Sequence, residues 1–108
     1  MRRGDIITVA GSGDYGKPRP AAIVQANALD ATDSVLVCRM TSIQRDTLTY
    51  RLKVEPVVET GLRATSYVMA DKIFAVRRTK CGHVIGHLPN GQMLALDRIP
   101  AIVMGLAD

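Results

Sequence analysis

The chain has 108 residues, of which 47% are hydrophobic and 22% charged, with a net charge of +4 at neutral pH and a sequence pI near 9.4. That length supports a single domain over residues 1–108 whose core needs no metal or disulfide staple. No stretch approaches the roughly 20 apolar residues of a membrane span, and the positive balance favours anionic partners such as nucleic acid or an acidic peptide.

Met1-Arg2-Arg3-Gly4-Asp5 is basic but leads into no apolar segment of signal-peptide length. Cys38 and Cys81 form no C-x-x-C pair. Together these features predict a cytoplasmic protein with reduced thiols rather than a disulfide framework. Cys81, His83 and His87 could supply three metal ligands, but a structural zinc site needs four, and no fourth is evident. No metal and no cofactor are expected.

In chain order, Ile6, Ile7 and Val9 open a first strand, and the glycine-rich Gly11-Ser12-Gly13-Asp14-Tyr15-Gly16 follows as a loop, expected to be mobile. Gly16-Lys17-Pro18-Arg19-Pro20 then leads into the apolar run Ala21–Val24. The two prolines fix their own φ and bias each preceding residue toward extended geometry, so the Arg19 backbone has little freedom. A guanidinium held that way suits phosphate, whose oxygens it meets bidentately. The alternative is a solvated arginine at a strand entrance.

Ser34-Val35-Leu36-Val37-Cys38-Arg39-Met40 has the composition of a central strand buried on both faces. Leu48, Tyr50, Leu52 and Val54 alternate with Thr49, Arg51 and Lys53, the period of a strand with one wet, partly basic face. Extended structure returns at Ser66–Ala70, Ile73–Val76 and Val84–Leu88. Many short strands predict a mainly β fold: a small SH3-like barrel of antiparallel strands, which avoids exposed edges by curling. Met93, Leu96, Ile99, Val103 and Leu106 change the period to that of a C-terminal helix, opened near Pro89-Asn90 and closed around Gly105. Pro100 predicts a kink or two helical pieces near Ile99.

With these elements in order, the chain resembles the MazF, PemK and Kid toxins of bacterial type II toxin-antitoxin systems. The resemblance runs nearly end to end. It rests on Arg3-Gly4-Asp5-Ile6, Arg19-Pro20-Ala21-Ala22-Ile23-Val24, Thr41-Ser42, Gly61-Leu62, Ser66-Tyr67-Val68-Met69-Ala70-Asp71-Lys72-Ile73, Ile85-Gly86-His87-Leu88 and the terminal helix. It implies the SH3-like, CcdB/MazF-type barrel, a homodimer, and metal-independent, sequence-selective cleavage of single-stranded mRNA. It also implies 2′,3′-cyclic phosphate and 5′-hydroxyl ends, and a cognate antitoxin that forms a toxin-antitoxin heterocomplex.

Such cleavage uses the substrate's own 2′-hydroxyl, so the protein must orient groups, move protons and stabilise charge on phosphorus. Arg19 and Thr41 match the catalytic pair of MazF-like relatives. A guanidinium with pKa above about 12 is a poor proton donor near neutral pH, so Arg19 is assigned to charge stabilisation. Thr41 can donate a hydrogen bond to a non-bridging oxygen. Ser42 and Asp71 match site residues of Kid-like members, Asp71 as a possible general base there; a turn-forming or salt-bridged aspartate is the other reading. This chain departs from Kid in having Met69 where Kid-like members carry an arginine, and Gly13-Asp14-Tyr15 where they carry a histidine.

Lys17, Arg39, Gln44, Arg77 and Arg78 are the expected RNA-binding residues, although Arg77-Arg78 with Lys80 also reads as a solvated edge that blocks aggregation. An antitoxin with an acidic, disordered segment would fold into the basic groove and cover Arg19. The rival readings are a CcdB-like gyrase-binding toxin and a non-catalytic SH3-like binding module. Against the first, CcdB-like poisons depend on a C-terminal Trp-Gly-Ile, whereas this chain has no tryptophan and ends Gly105-Leu106-Ala107-Asp108.

Overall fold

The computed structural model describes residues 1–10, 17–43 and 50–106. Six strands and one helix follow in order: β1 (Asp5–Val9), β2 (Arg19–Ile23), β3 (Ser34–Thr41), β4 (Arg51–Val54), β5 (Ser66–Arg77), β6 (Cys81–His87) and α1 (Asn90–Val103). The expected loop at residues 11–16, and Leu48 and Thr49 of the alternating segment, lie outside the described residues. Ser66–Ala70 and Ile73–Val76, expected as separate runs, are one twelve-residue strand.

The strands form one antiparallel sheet in the order β4-β5-β3-β2-β1-β6. Pleating divides the apolar residues into two sets. Ile6, Ala22, Cys38, Met40, Val54, Val68 and Ala70 build one core cluster with Leu88 and Leu96. Ile7, Val9, Ala21, Ile23, Val35, Val37 and Val76 build the other. Adjacent residues such as Ile6 and Ile7, or Ala21 and Ala22, therefore belong to opposite faces, as a period of two demands.

The outermost strands β4 and β6 would stand about 24 Å apart in a flat six-stranded sheet. Val54 of β4 and Ile85 of β6 nevertheless pack into the same cluster. The sheet is strongly curled around that core, which delivers the barrel-like, mainly β fold that the strand count predicts. β3 is interior as expected, but Leu36 and Arg39 face solvent, so it is not buried on both faces.

α1 packs against β4 and β5 through the buried Leu96 and Pro100. It remains one helix across Pro100, where a kink or two helical pieces were expected. The proline falls in the last turn, so it removes one intrahelical bond close to where the helix ends anyway. The stop is a Schellman arrangement: Leu106 N–H donates to the Ala101 carbonyl at 2.8 Å, Gly105 N–H to the Ile102 carbonyl at 3.0 Å, and Gly105 has φ +75°. At the other end of the chain, Arg3 ties the N-terminal segment to the helix. Its Nη1 donates to Asp97 Oδ1 at 2.6 Å and its Nε to the Val24 carbonyl at 3.2 Å.

Candidate active site

The register between β2 and β3 pairs Ala22 with Cys38 and Ala21 with Arg39. The paired stretch ends there, and Arg19, the first residue of β2, and Thr41, the last of β3, lie two residues beyond it at neighbouring strand ends. On its other side Thr41 pairs with Tyr67 of β5. Arg19, Thr41 and Ser42 all line one groove of about 630 Å³, together with Thr8, Ile43, Arg63, Ser66 and Ile85. Arg19 and Ser42 are exposed, and Thr41 is half-buried. Thr41 Oγ1 accepts a hydrogen bond from the Ile43 N–H at 3.2 Å. A hydroxyl that accepts this bond still has its own proton to donate, and the turn fixes where its oxygen lies.

The far rim, Gly61–Ala64, is held by a buried side chain. Thr60 is fully buried, and its hydroxyl faces the Glu55 carbonyl at 2.8 Å and the Val57 carbonyl at 3.0 Å, while accepting from Val57 N–H at 3.2 Å. A β-carbon on Gly86 would stand 2.6 Å from the Glu59 carbonyl oxygen and overlap the Thr60 carbonyl. The glycine thus lets the 59–61 segment lie directly on β6, and His87 N–H donates to Glu59 O at 2.9 Å. Gly61 and Gly86 are spacing devices that carry the rim to the groove. Arg63 was not singled out from the sequence. Its only signal there is its place just after Gly61-Leu62.

The other expected site residues lie elsewhere. Asp71 stands in a bulge of β5: two residue steps on β3, from Cys38 to Met40, face five on β5, from Ile73 to Val68. Asp71 does not line the groove. Its Oδ1 is buried and has no hydrogen-bond partner among the described residues. It neighbours Cys38, whose thiol is pushed up to about 11 by burial first and the Asp71 charge second, with Arg3 opposing. Arg39 lies in a separate depression with Met69, Lys72 and Phe74. Arg77 and Arg78 border a third, beside Asp30, Thr32 and Asp33.

Arg78 is a clamp on the β2–β3 connection. Its Nε donates to the Thr32 carbonyl and its Nη2 to the Leu29 carbonyl at 3.2 Å. Lys17 is exposed beside Pro18 of the groove, and Gln44 lies outside the described residues. Among the described residues no three His, Cys, Asp or Glu side chains cluster as a metal site would require. His87 instead approaches Glu59, Nε2 to Oε1 at 3.8 Å, and Cys81 lies opposite Val9 in the ladder. No helix among the described residues is long and apolar enough to cross a membrane.

Residues 2–103 match the family described as the PemK-like, MazF-like toxin of type II toxin-antitoxin systems. The chain belongs to that family. It is 42% identical over 108 residues, 99% of each chain, to the probable endoribonuclease MazF of Mycolicibacterium smegmatis. Its fold superposes with TM-score 0.82 on a mycobacterial endoribonuclease solved in complex with its cognate antitoxin, at 26% identity over 100% of this chain and 98% of that one. It superposes with TM-score 0.79 on the Mycobacterium tuberculosis toxin MazF-mt6, at 25% identity over 95% and 99% of the two chains. A MazE-MazF structure from Deinococcus radiodurans, 15% identical with TM-score 0.81 over 99% and 98%, shares the fold. Membership of the MazF-like toxins favours that lineage over the gyrase poisons.

Proposed function

We propose that this protein is a metal-independent endoribonuclease toxin that cleaves single-stranded mRNA sequence-selectively, through the substrate's own 2′-hydroxyl, leaving 2′,3′-cyclic phosphate and 5′-hydroxyl ends. The observation that carries the reading is the meeting of Arg19 and Thr41, from neighbouring strands, in one groove of a MazF-like fold. Arg19 stabilises the charge that develops on the phosphorane oxygens, and Thr41, oriented by the Ile43 amide, donates to a non-bridging oxygen. Ser42 adds a second hydroxyl beside it. Asp71, in the β5 bulge and outside the groove, is given no part in these phosphate contacts. The fold performs its work as one domain over residues 1–108.

The active form is a homodimer in this reading, joined through apolar surface of the kind that Leu94, Ile102 and Val103 leave exposed on α1. An antitoxin with an acidic, disordered segment neutralises the toxin in a heterocomplex by covering the groove; opposite charge speeds its encounter with a chain of net charge +4. The test is incubation of the purified protein with a long unstructured RNA in EDTA, alongside Arg19→Ala and Thr41→Ala. Cleavage by the parent with losses of about 10²–10³ in each variant is expected. Undiminished cleavage by both variants would remove the mechanism.

A further inference from the structure

Outside the cleavage groove, Arg39, Phe74, Lys72 and Met69 surround a depression of about 300 Å³ on the β3–β5 face. It lies at the β5 bulge, where Met69–Lys72 have no partner in the β3–β5 ladder, although Met69 pairs with Arg51 of β4. Phe74 is the sole phenylalanine of the chain and is only half-buried. The Arg39 guanidinium carbon lies 5.0 Å from the centre of its ring. Among the described residues no carboxylate is ion-paired with Arg39 or Lys72. An exposed guanidinium thus lies over an aromatic ring, beside a second cation.

Arg39 is two residues before Thr41 on the same strand, and the pleat puts alternate residues on one side. Val35 and Val37 of that alternate series pack in the core cluster against which Phe74 lies. Arg39 and Thr41 therefore share a face of β3, with α-carbons about 7 Å apart.

We propose that Arg39, backed by Phe74 and flanked by Lys72, is a nucleobase-stacking subsite of the RNA path, and that it takes a base close to the phosphate held at Arg19 and Thr41. This rests on the RNA-cleavage reading. An unpaired base lies on the outer face of the guanidinium, while Lys72 meets the adjoining phosphate as a point charge. Stacking on arginine and aromatic planes is tolerant of base identity, so the subsite contributes affinity and register rather than choice of base.

The experiment separates this from catalysis by measuring binding without turnover. In a Thr41→Ala background, anisotropy gives the affinity for a fluorescein-labelled single-stranded RNA that the parent cleaves, and 2-aminopurine placed at successive positions reports stacking by its quenching. Arg39→Ala is expected to weaken binding about tenfold and to abolish quenching at one position. Arg39→Lys keeps the charge without the plane and is expected to lose the quenching as well, while thermal melts of both variants match the background. Unchanged affinity and quenching in Arg39→Ala overturn the subsite and leave the cleavage reading standing. Retained quenching in Arg39→Lys, or an Arg39→Ala protein that binds RNA normally but no longer binds an acidic peptide, also overturns it. Failure of the parent to cleave or bind any RNA removes both readings together.

Discussion

Gly61 lies backbone to backbone against Ile85: a β-carbon at Gly61 would stand 2.7 Å from the Ile85 carbonyl carbon and closer still to its oxygen. Its φ of +67° is the left-handed region, where any other residue carries a conformational cost of about 1–2 kcal/mol before the overlap is counted. Gly61→Ala is therefore expected to lower the melting temperature by about 8 °C or more and to displace the groove rim. Gly91 is the internal control. A β-carbon there meets nothing within 4 Å, and Gly91→Ala in the first turn of α1 is expected to be neutral or to stabilise by up to about 1 kcal/mol. Paired thermal melts check both.

Thr60→Val removes a buried hydroxyl that bonds within the 55–60 turn, while the Val57 carbonyl keeps the Thr60 and Gly61 amides and the Val57 amide keeps the Glu55 carbonyl. The expected cost is about 1 kcal/mol, read from urea denaturation, although the valine has nearly the same volume. Cleavage should fall as well, because Leu62 and Arg63 of the rim follow directly from that turn.

Cys38 makes stability fall at alkaline pH. Its thiol is raised from the ordinary 9.0 to about 11, so below pH 9 it is protonated in both the folded and unfolded chain and adds no pH dependence. Between those values the unfolded chain ionises while the folded one does not. Unfolding then releases a proton, and stability drops as pH rises. The difference between the parent and Cys38→Ala denaturation midpoints should be constant below pH 9 and narrow toward pH 11. Thiol labelling gives an independent check: Cys81, partly exposed, reacts in the folded protein, and Cys38 only after unfolding.

The strands, their antiparallel curl and the terminal helix were legible because their signals are local: alternation at Leu52 and Val54, a proline-bounded entry at Arg19, and a glycine stop at Gly105. That Arg19 and Thr41 line one groove was legible only through the resemblance, because strand order and register are long-range properties. The bulge that takes Asp71 out of the groove was not legible. Nothing in Met69-Ala70-Asp71-Lys72 marks three residues that the partner strand leaves unmatched. Arg78 was read as an RNA-binding residue or a solvated basic edge, yet the carbonyls of Leu29 and Thr32 engage its guanidinium, and their approach depends on the folded β2–β3 connection.

Arg78→Ala is accordingly expected to loosen the connection at residues 26–33, raising amide hydrogen exchange there. Arg78→Lys should rescue it only in part, since a single ammonium cannot reproduce the fork that spans two carbonyls. An unchanged exchange pattern in Arg78→Ala would return that side chain to the exposed basic edge.

The central claim is that the RNA supplies its own nucleophile to a phosphate held by Arg19 and Thr41. The most direct measurement uses a single-stranded RNA containing the mapped cut site, in EDTA, with the ribose on the 5′ side of the scissile phosphate replaced by 2′-deoxyribose. The account predicts that cleavage at that bond disappears, while the all-ribose RNA yields 2′,3′-cyclic phosphate and 5′-hydroxyl ends. Continued cutting at the deoxy position, with a 5′-phosphate on the product, would contradict it.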